Sequence, residues 1–157
     1  MLIKDSSGIQ DMRKATLSKE EKDLIKYLFR YDLEDLYTLL GYQQEYFKIS
    51  YLTTKRISKK SVVITRGMMS LIKLPSEEWK KRGKNIIKRL RRKLCSWWLK
   101  NKNKLERIHR KLTLAHTVAV AVKSFASTDL SETLGIYLVA VIVAKEGIDN
   151  LCKKKLS

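Results

Sequence analysis

The stretch SEEWKKRGKNIIKRLRRKLCSWWLKNKNKLERIHRK, residues 76–111, decides how this chain folds. Ser76 suits the N-cap position of a helix, and Glu77 and Glu78 suit its first turn, where the helix dipole favours acids. Apolar residues then recur at steps near three and four, the spacing of one helical face: Ile87, Leu90, Leu94, Trp97 or Trp98, Leu105, Ile108 and Leu112. We therefore predict one helix of roughly 54 Å over residues 76–111, with the polar run 101–103 as the place where it would bend.

The same stretch is strongly basic. Between Lys80 and Lys111 it carries fifteen Lys and Arg side chains and one acid, Glu106. Eleven pairs of basic residues stand three or four positions apart, where like charges destabilise a helix by roughly 0.2–0.5 kcal/mol each, or about 2–5 kcal/mol together at low salt. That is a large share of a small domain's net stability. The pattern predicts a negatively charged ligand or partner that lies along the helix and relieves the repulsion.

The rest of the chain dilutes this charge very little. Of 157 residues, 34 are Lys or Arg and 16 are Asp or Glu, which gives a formal net charge of +18. Residues 1–47 have a net charge of −2, residues 48–111 of +19 and residues 112–157 of +1. The length suits a single domain, 1–157, with these three zones. One proline and six glycines in all argue against a turn-dense β-fold, so we predict a small all-α domain.

The near-neutral first zone is typical of a helical hairpin. Ser18 and Glu21 form a capping box, Asp32 and Asp35 indicate a second helix start, and Gly41 is placed to end that helix. A helix-turn-helix DNA reader would need a basic recognition helix, whereas this second helix begins with acids. We therefore predict a packing hairpin. Residues 42–74 fit either a short strand at 62–64 or a helix that ends before Pro75, and the helix is favoured.

The third zone is apolar. Residues 112–126 and 134–144 predict a helical hairpin around the acidic loop 127–132, with apolar residues nearly all round both helices. This predicts a protein core or a homo-oligomer interface, because the eleven-residue apolar run is shorter than the roughly twenty needed to cross a bilayer. A membrane-inserted hairpin is the alternative, since basic residues flank both of its ends at 110–111 and 153–155.

The sequence lacks the residue patterns that several kinds of site require. The six glycines are isolated, so no nucleotide-binding loop is present, and we expect no cofactor. The two histidines have no metal-ligand pattern around them, and we expect no metal site. Cys95 and Cys152 are too few for a disulfide framework, which favours a reducing compartment. With no apolar signal segment in residues 1–11, we expect a cytoplasmic protein; richness in Lys, Ile and Asn is typical of an AT-rich bacterial or phage genome.

One pair of residues fits a known catalytic spacing. Arg110 and His116 are separated by five residues, which resembles the Arg-(four to six)-His motif of HEPN-type helical ribonucleases, although Lys111 stands where that family commonly has a polar uncharged or acidic residue. The resemblance implies that Arg110 would stabilise a pentacovalent phosphate and His116 would move protons at the 2′-oxygen of RNA. An RNA-cleaving enzyme is therefore a second alternative to a binding protein.

Taken together, these patterns predict a small basic accessory or adaptor protein that binds nucleic acid, either RNA or a nucleoprotein complex. An acidic protein partner and an anionic membrane surface are the competing ligands for the same helix. Trp98 is the predicted stacking residue, and Lys or Arg would contact phosphates. The predicted nucleic-acid-binding residues are Lys84, Lys88, Arg89, Arg91, Arg92, Lys93, Trp98, Lys100, Lys102 and Lys104.

Overall fold

The computed structural model describes residues 17–45, 76–105, 110–125 and 134–153. Within these ranges the chain forms six helices and no strand, so the all-α prediction is confirmed. The strand-or-helix question at residues 62–74 lies outside the described residues. The helices are α1 (Lys19–Leu28), α2 (Leu33–Glu45), α3 (Ser76–Leu105), α4 (Lys111–Phe125), α5 (Leu134–Glu146) and α6 (Ile148–Lys153).

Both predicted starts of the first hairpin are confirmed. The Ser18 hydroxyl accepts a hydrogen bond from the Glu21 amide at 3.1 Å, and the Glu21 carboxylate accepts one from the Ser18 amide at 3.0 Å. At the second start, the Asp32 carboxylate accepts a hydrogen bond from the Asp35 amide at 2.8 Å. These side chains satisfy amides that the first turn of a helix leaves without partners.

The predicted helix stop at Gly41 is wrong. Helix α2 continues through Gly41 to Glu45, and Gly41 lies against α3 instead. A β-carbon on Gly41 would lie 1.9 Å from the carbonyl oxygen of Trp79, which no rotation of a side chain could relieve. The glycine is therefore explained by the close approach of two helix backbones, and not by the left-handed conformation that favours glycine after a helix.

Helix α3 is the predicted long helix, with different ends. It begins at Ser76, so Ser76 is its first residue and not its N-cap, and it ends at Leu105. Arg110 is not helical, residues 106–109 lie outside the described residues, and Lys111 starts α4. The polar run 101–103 does not interrupt α3. Within this run the Asn101 side-chain amide donates to the Trp97 carbonyl at 2.9 Å.

The apolar run of the third zone forms the centre of the core. All eleven residues from Leu134 to Ala144 are buried, and α5 packs against α1, α2, α4 and α6. Helix α3 packs mainly against α2, through a face that contains Trp79, Gly83, Ile86, Ile87, Leu90, Leu94 and Trp98. The packing of α4 against α5 confirms the predicted helical hairpin. The apolar surface of α5 lies in the core. Among the described helices, none combines the length and the apolar character needed to cross a bilayer.

The short helix α6 is bonded to α3. Gly147, at a φ of 88°, turns the chain between α5 and α6, a backbone conformation that glycine adopts without steric cost. Cys152 on α6 then forms a disulfide with Cys95 on α3, with their Cα atoms 5.4 Å apart. Two cysteines are too few for a disulfide framework, yet these two pair with each other. Their pairing removes the cysteine count as an argument for a reducing compartment.

Candidate functional site

A row of basic side chains covers the outer side of α3. The apolar side of this amphipathic helix is packed, which leaves the charged side to solvent. We call the exposed basic residues the cationic face; it extends about 35 Å along the helix, at roughly 1.5 Å per residue. Its members are Lys81, Lys84, Lys88, Arg89, Arg92, Lys93, Lys100 and Lys104.

Acidic groups lie close to α3 at its N-terminal end. The Lys80 ammonium contacts the Glu34 carboxylate of α2 at 2.8 Å, and this hydrogen bond raises the pKa of Lys80. The Arg82 Nε atom lies 3.7 Å from Oε1 of Glu78, which stands one turn earlier on the same helix. Beyond Glu78, α3 contributes no acidic residue of its own. The positive charge is therefore most concentrated in the middle and C-terminal parts of the helix.

Most of the predicted phosphate-contacting residues lie together on the cationic face. Two of them, Lys102 and Arg91, are only partly exposed. One terminal nitrogen of Arg91, Nη2, is buried without a hydrogen-bond partner among the described residues. The exposed members of the prediction are Lys84, Lys88, Arg89, Arg92, Lys93, Lys100 and Lys104.

Trp98 cannot take the stacking role predicted for it. Only 5% of its surface is exposed, and its indole Nε1 donates a hydrogen bond to the Asp149 carboxylate of α6 at 2.9 Å. Trp97 is partly exposed instead. Adjacent residues on a helix point about 100° apart, so one of two neighbouring tryptophans can anchor the core while the other reaches the surface. The sequence pattern did not distinguish them.

Trp97 lines a groove beside the cationic face. The groove has a volume of about 420 Å³, and its other described lining residues are Arg92, Lys93, Ser96 and Lys100. It combines an aromatic ring, a hydroxyl and three cations. The apolar part of Trp97 also packs against the hydrophobic core, which holds the ring in place. Cationic and aromatic groups of α3 therefore line the same groove.

Leu99 is the most exposed large apolar side chain of the described residues, at 71%. It belongs to α3 and lies next to Lys100 in the sequence. A single exposed leucine is common on protein surfaces. Its position on the basic helix nevertheless gives this surface an apolar component.

Arg110 and His116 lie in different surroundings. Arg110 is exposed ahead of α4, and its backbone carbonyl accepts a hydrogen bond from the Leu114 amide at 3.0 Å. His116 is half-buried, and its Nε2 has no hydrogen-bond partner among the described residues. Burial and the nearby charge of Lys22 on α1 lower the pKa of His116.

A second charged cluster, around Glu21, joins three helices. The Glu21 carboxylate of α1 accepts hydrogen bonds from the Lys123 ammonium of α4 and the Tyr137 hydroxyl of α5. Burial would raise the pKa of Glu21, but the hydrogen bonds from Lys123, Tyr137 and the Ser18 amide, with the Lys123 charge, outweigh burial and lower it to about 2. These hydrogen bonds connect α1 to α4 and α5.

In the described part of the chain, no group of three or more His, Cys, Asp or Glu residues is placed to hold a metal ion. No protein-family model matches this chain, and no curated protein or solved structure is significantly similar to it.

Proposed function

We propose that this protein binds nucleic acid, RNA above all, through the cationic face of α3, as a small accessory or adaptor protein. The observation that carries the proposal is the exposure of the basic residues in one row of about 35 Å, on a helix without an acidic residue between Glu78 and Leu105. Nucleic acid offers a matching row of charges, since phosphates follow one another along each strand of a duplex at about 3.4 Å along the axis.

The expected binding does not depend on base sequence. Lys and Arg on an exposed helical face contact phosphates through long, flexible side chains, and they gain free energy chiefly by releasing counterions. A recognition helix that reads bases in a duplex groove commonly uses its N-terminal residues. In α3 those residues include Glu77 and Glu78, which phosphates repel. The geometry thus favours backbone contacts over base reading.

We further propose that the protein acts in the cytoplasm, where RNA is available as a ligand. Thiols in that compartment are kept reduced, so the protein would work there with Cys95 and Cys152 unbonded. The packing of α6 supports this: Ile148 and Leu151 are buried, and Asp149 accepts the hydrogen bond from Trp98. We expect these contacts to keep α6 on α3 when the disulfide is reduced.

Binding of labelled single-stranded RNA, single-stranded DNA and duplex DNA across a salt series tests the proposal. If six to eight phosphates are neutralised, log Kobs should fall against log salt with a slope of roughly −4 to −6 for single strands. No affinity at low salt, or a flat slope, would remove the proposal. Anionic vesicles form a further arm, because Leu99 and the basic residues around it would also suit a membrane surface; binding to vesicles alone would assign the face to lipid.

A pair of matched variants locates the interface. Lys88→Glu with Arg92→Glu reverses two charges on the cationic face, and Lys19→Glu with Lys26→Glu reverses two exposed charges on α1. Both variants have the same net charge. We expect the α3 variant to lower affinity by at least about tenfold and to reduce the salt slope by about 2, while the α1 variant stays close to the parent. Equal losses in the two variants would mean that only net charge matters.

A further inference from the structure

The groove at Trp97 adjoins the cationic face and shares Arg92, Lys93 and Lys100 with it. A nucleic-acid strand bound to this face would therefore pass beside the groove. Building on the proposed function, we propose that this groove binds one unpaired nucleotide, with its base stacked on the Trp97 indole and its phosphate held by Lys93, Lys100 or Arg92. The protein would then prefer single-stranded nucleic acid to a duplex. The following observations support a nucleotide as the occupant.

The first observation is the spacing of the lining residues. The residues that line the groove include Lys93, Ser96, Trp97 and Lys100. They occupy positions i, i+3, i+4 and i+7, which lie on one side of a helix. The two lysines therefore stand about one turn on either side of the indole. Ser96 is short, so it leaves room between Arg92 and Lys100 and adds a hydroxyl that could hydrogen-bond a base or a sugar.

The second observation is the character of the aromatic ring. Trp97 packs partly against the core, so its position is fixed before a ligand arrives, and little side-chain entropy remains to be lost on binding. Stacking of a base on such a ring stabilises a complex by roughly 1–3 kcal/mol. Inside a duplex, away from its ends, both faces of each base are covered by neighbouring base pairs. An unpaired base is free to place its face against Trp97.

The third observation is the electrostatic contrast with a groove of similar size on α1. That groove has a volume of about 450 Å³ and contains an acid. Its described lining residues are Asp23, Lys26, Tyr27, Phe29 and Arg30. The described lining of the Trp97 groove has three cations and no acid. A phosphate is therefore favoured at Trp97 and opposed by Asp23 at the other groove.

Tryptophan fluorescence can report on the groove directly. The chain has three tryptophans, and Trp79 and Trp98 are exposed by only 1% and 5%. A base that stacks on Trp97 should therefore quench the fluorescence of that residue selectively. We would titrate the full-length protein with oligouridine, with a duplex of equal length, and with inorganic polyphosphate, which carries charge but no bases. We expect quenching by oligouridine and little by the other two.

Two substitutions separate stacking from charge and from folding. Trp97→Leu keeps an apolar side chain against the core but removes the aromatic face, and Trp97→Phe keeps a smaller aromatic face. We expect Trp97→Leu to weaken oligouridine binding by about 5- to 150-fold and to leave duplex and polyphosphate binding within twofold. Trp97→Phe should retain most of the oligouridine affinity and lose the quenching signal.

The outcomes distinguish this inference from the proposed function. If Trp97→Leu binds oligouridine as tightly as the parent, the groove does not hold a base, while binding by the cationic face stands. If it loses oligouridine and duplex equally, with thermal stability unchanged, the indole does not discriminate unpaired bases and the inference is wrong. If the parent binds none of the nucleic acids, both proposals fail.

Discussion

Gly83 of α3 lies against the backbone of Tyr37 on α2, so close that a β-carbon on Gly83 would stand 1.9 Å from the Tyr37 carbonyl oxygen. The same relation holds in the opposite direction between Gly41 and Trp79. Two glycines thus permit α2 and α3 to approach through their backbones. This contact fixes the packed side of α3 and therefore the direction in which its cationic face points.

Substitution of Gly83 by alanine should be severe. The obstacle is a backbone carbonyl, which cannot rotate away, so the two helices must separate and lose the packing around them. Overpacking typically costs about 1–3 kcal/mol, and we expect at least 3 kcal/mol here. Urea unfolding measures the effect. Asn85→Ala, at an exposed position of the same helix, is the control and should be neutral or slightly stabilising. A Gly83→Ala protein as stable as this control would contradict the close contact.

Reduction of the Cys95–Cys152 disulfide should lower stability without unfolding the protein. The bond joins residues 57 positions apart, and a cross-link over a loop of this size typically contributes about 2–4 kcal/mol. Urea unfolding with and without reductant measures the difference, and Cys95→Ser with Cys152→Ser should show none. An oxidised and a reduced protein of equal stability would show that the bond does not constrain the unfolded chain.

Acid should destabilise the protein through Glu21. Its pKa is lowered from 4.5 to about 2 in the fold, so the unfolded state binds the proton more readily. The stability that Glu21 contributes is thus complete above pH 4.5 and is lost as the pH falls towards 2. Glu21→Gln should cost about 1–3 kcal/mol at neutral pH and weaken this acid dependence. Asp23→Asn, at an exposed position of α1, is the control; if both variants keep the parent's acid profile, the Glu21 cluster is not responsible.

His116 should act in a separate and higher pH range. Burial first, and the Lys22 charge second, lower its pKa below 6.5. The folded state therefore resists protonation, and stability is complete above pH 6.5 and decreases as the pH falls below that value. His116→Leu should remove this dependence and be neutral or stabilising, because it deletes a buried polar atom without a partner. Thermal unfolding between pH 5 and 7.5 measures it; an unchanged profile in His116→Leu would assign the dependence to other groups.

Local signals in the sequence predicted local structure well. The caps at Ser18 and Asp32 could be read because a cap and the amide that it satisfies lie within three residues. Gly41 could not be read correctly, since a glycine that ends a helix and one that admits a neighbouring backbone look the same in sequence. Only the fold shows that Trp79, 38 positions away, lies against it.

In the candidate site, too, local spacing predicted some residues, and distant contacts determined the others. The basic residues of the cationic face followed from helical spacing, because the apolar side of α3 determines the exposed side. Trp97 and Trp98 are adjacent, and the choice between them depends on Asp149, which α6 brings to Trp98 from 51 positions away. The pairing of Cys95 with Cys152 likewise depends on the docking of α6. The spacing of residues within one segment does not show which distant segment will contact it.

Salt should stabilise this protein against heat, and the effect should originate in α3. Eight pairs of basic residues stand three or four positions apart within this helix, and their repulsion costs about 2–4 kcal/mol at low ionic strength. Because sodium chloride screens exposed charges, we expect the melting temperature to rise by roughly 4–10 °C between about 20 mM and 500 mM salt. Scanning calorimetry in both buffers measures the rise.

A matched pair of variants assigns the salt effect to the helix. Lys88→Gln with Arg92→Gln removes four of the eight pairs, so the salt-induced rise should fall by about half. Lys19→Gln with Lys26→Gln removes the same net charge from α1 and should leave the rise unchanged. If the parent melts at the same temperature in both buffers, the row of like charges is not under the repulsion that its spacing implies. The proposal of a polyanionic ligand would then lose its energetic basis, although the exposure of the face would remain.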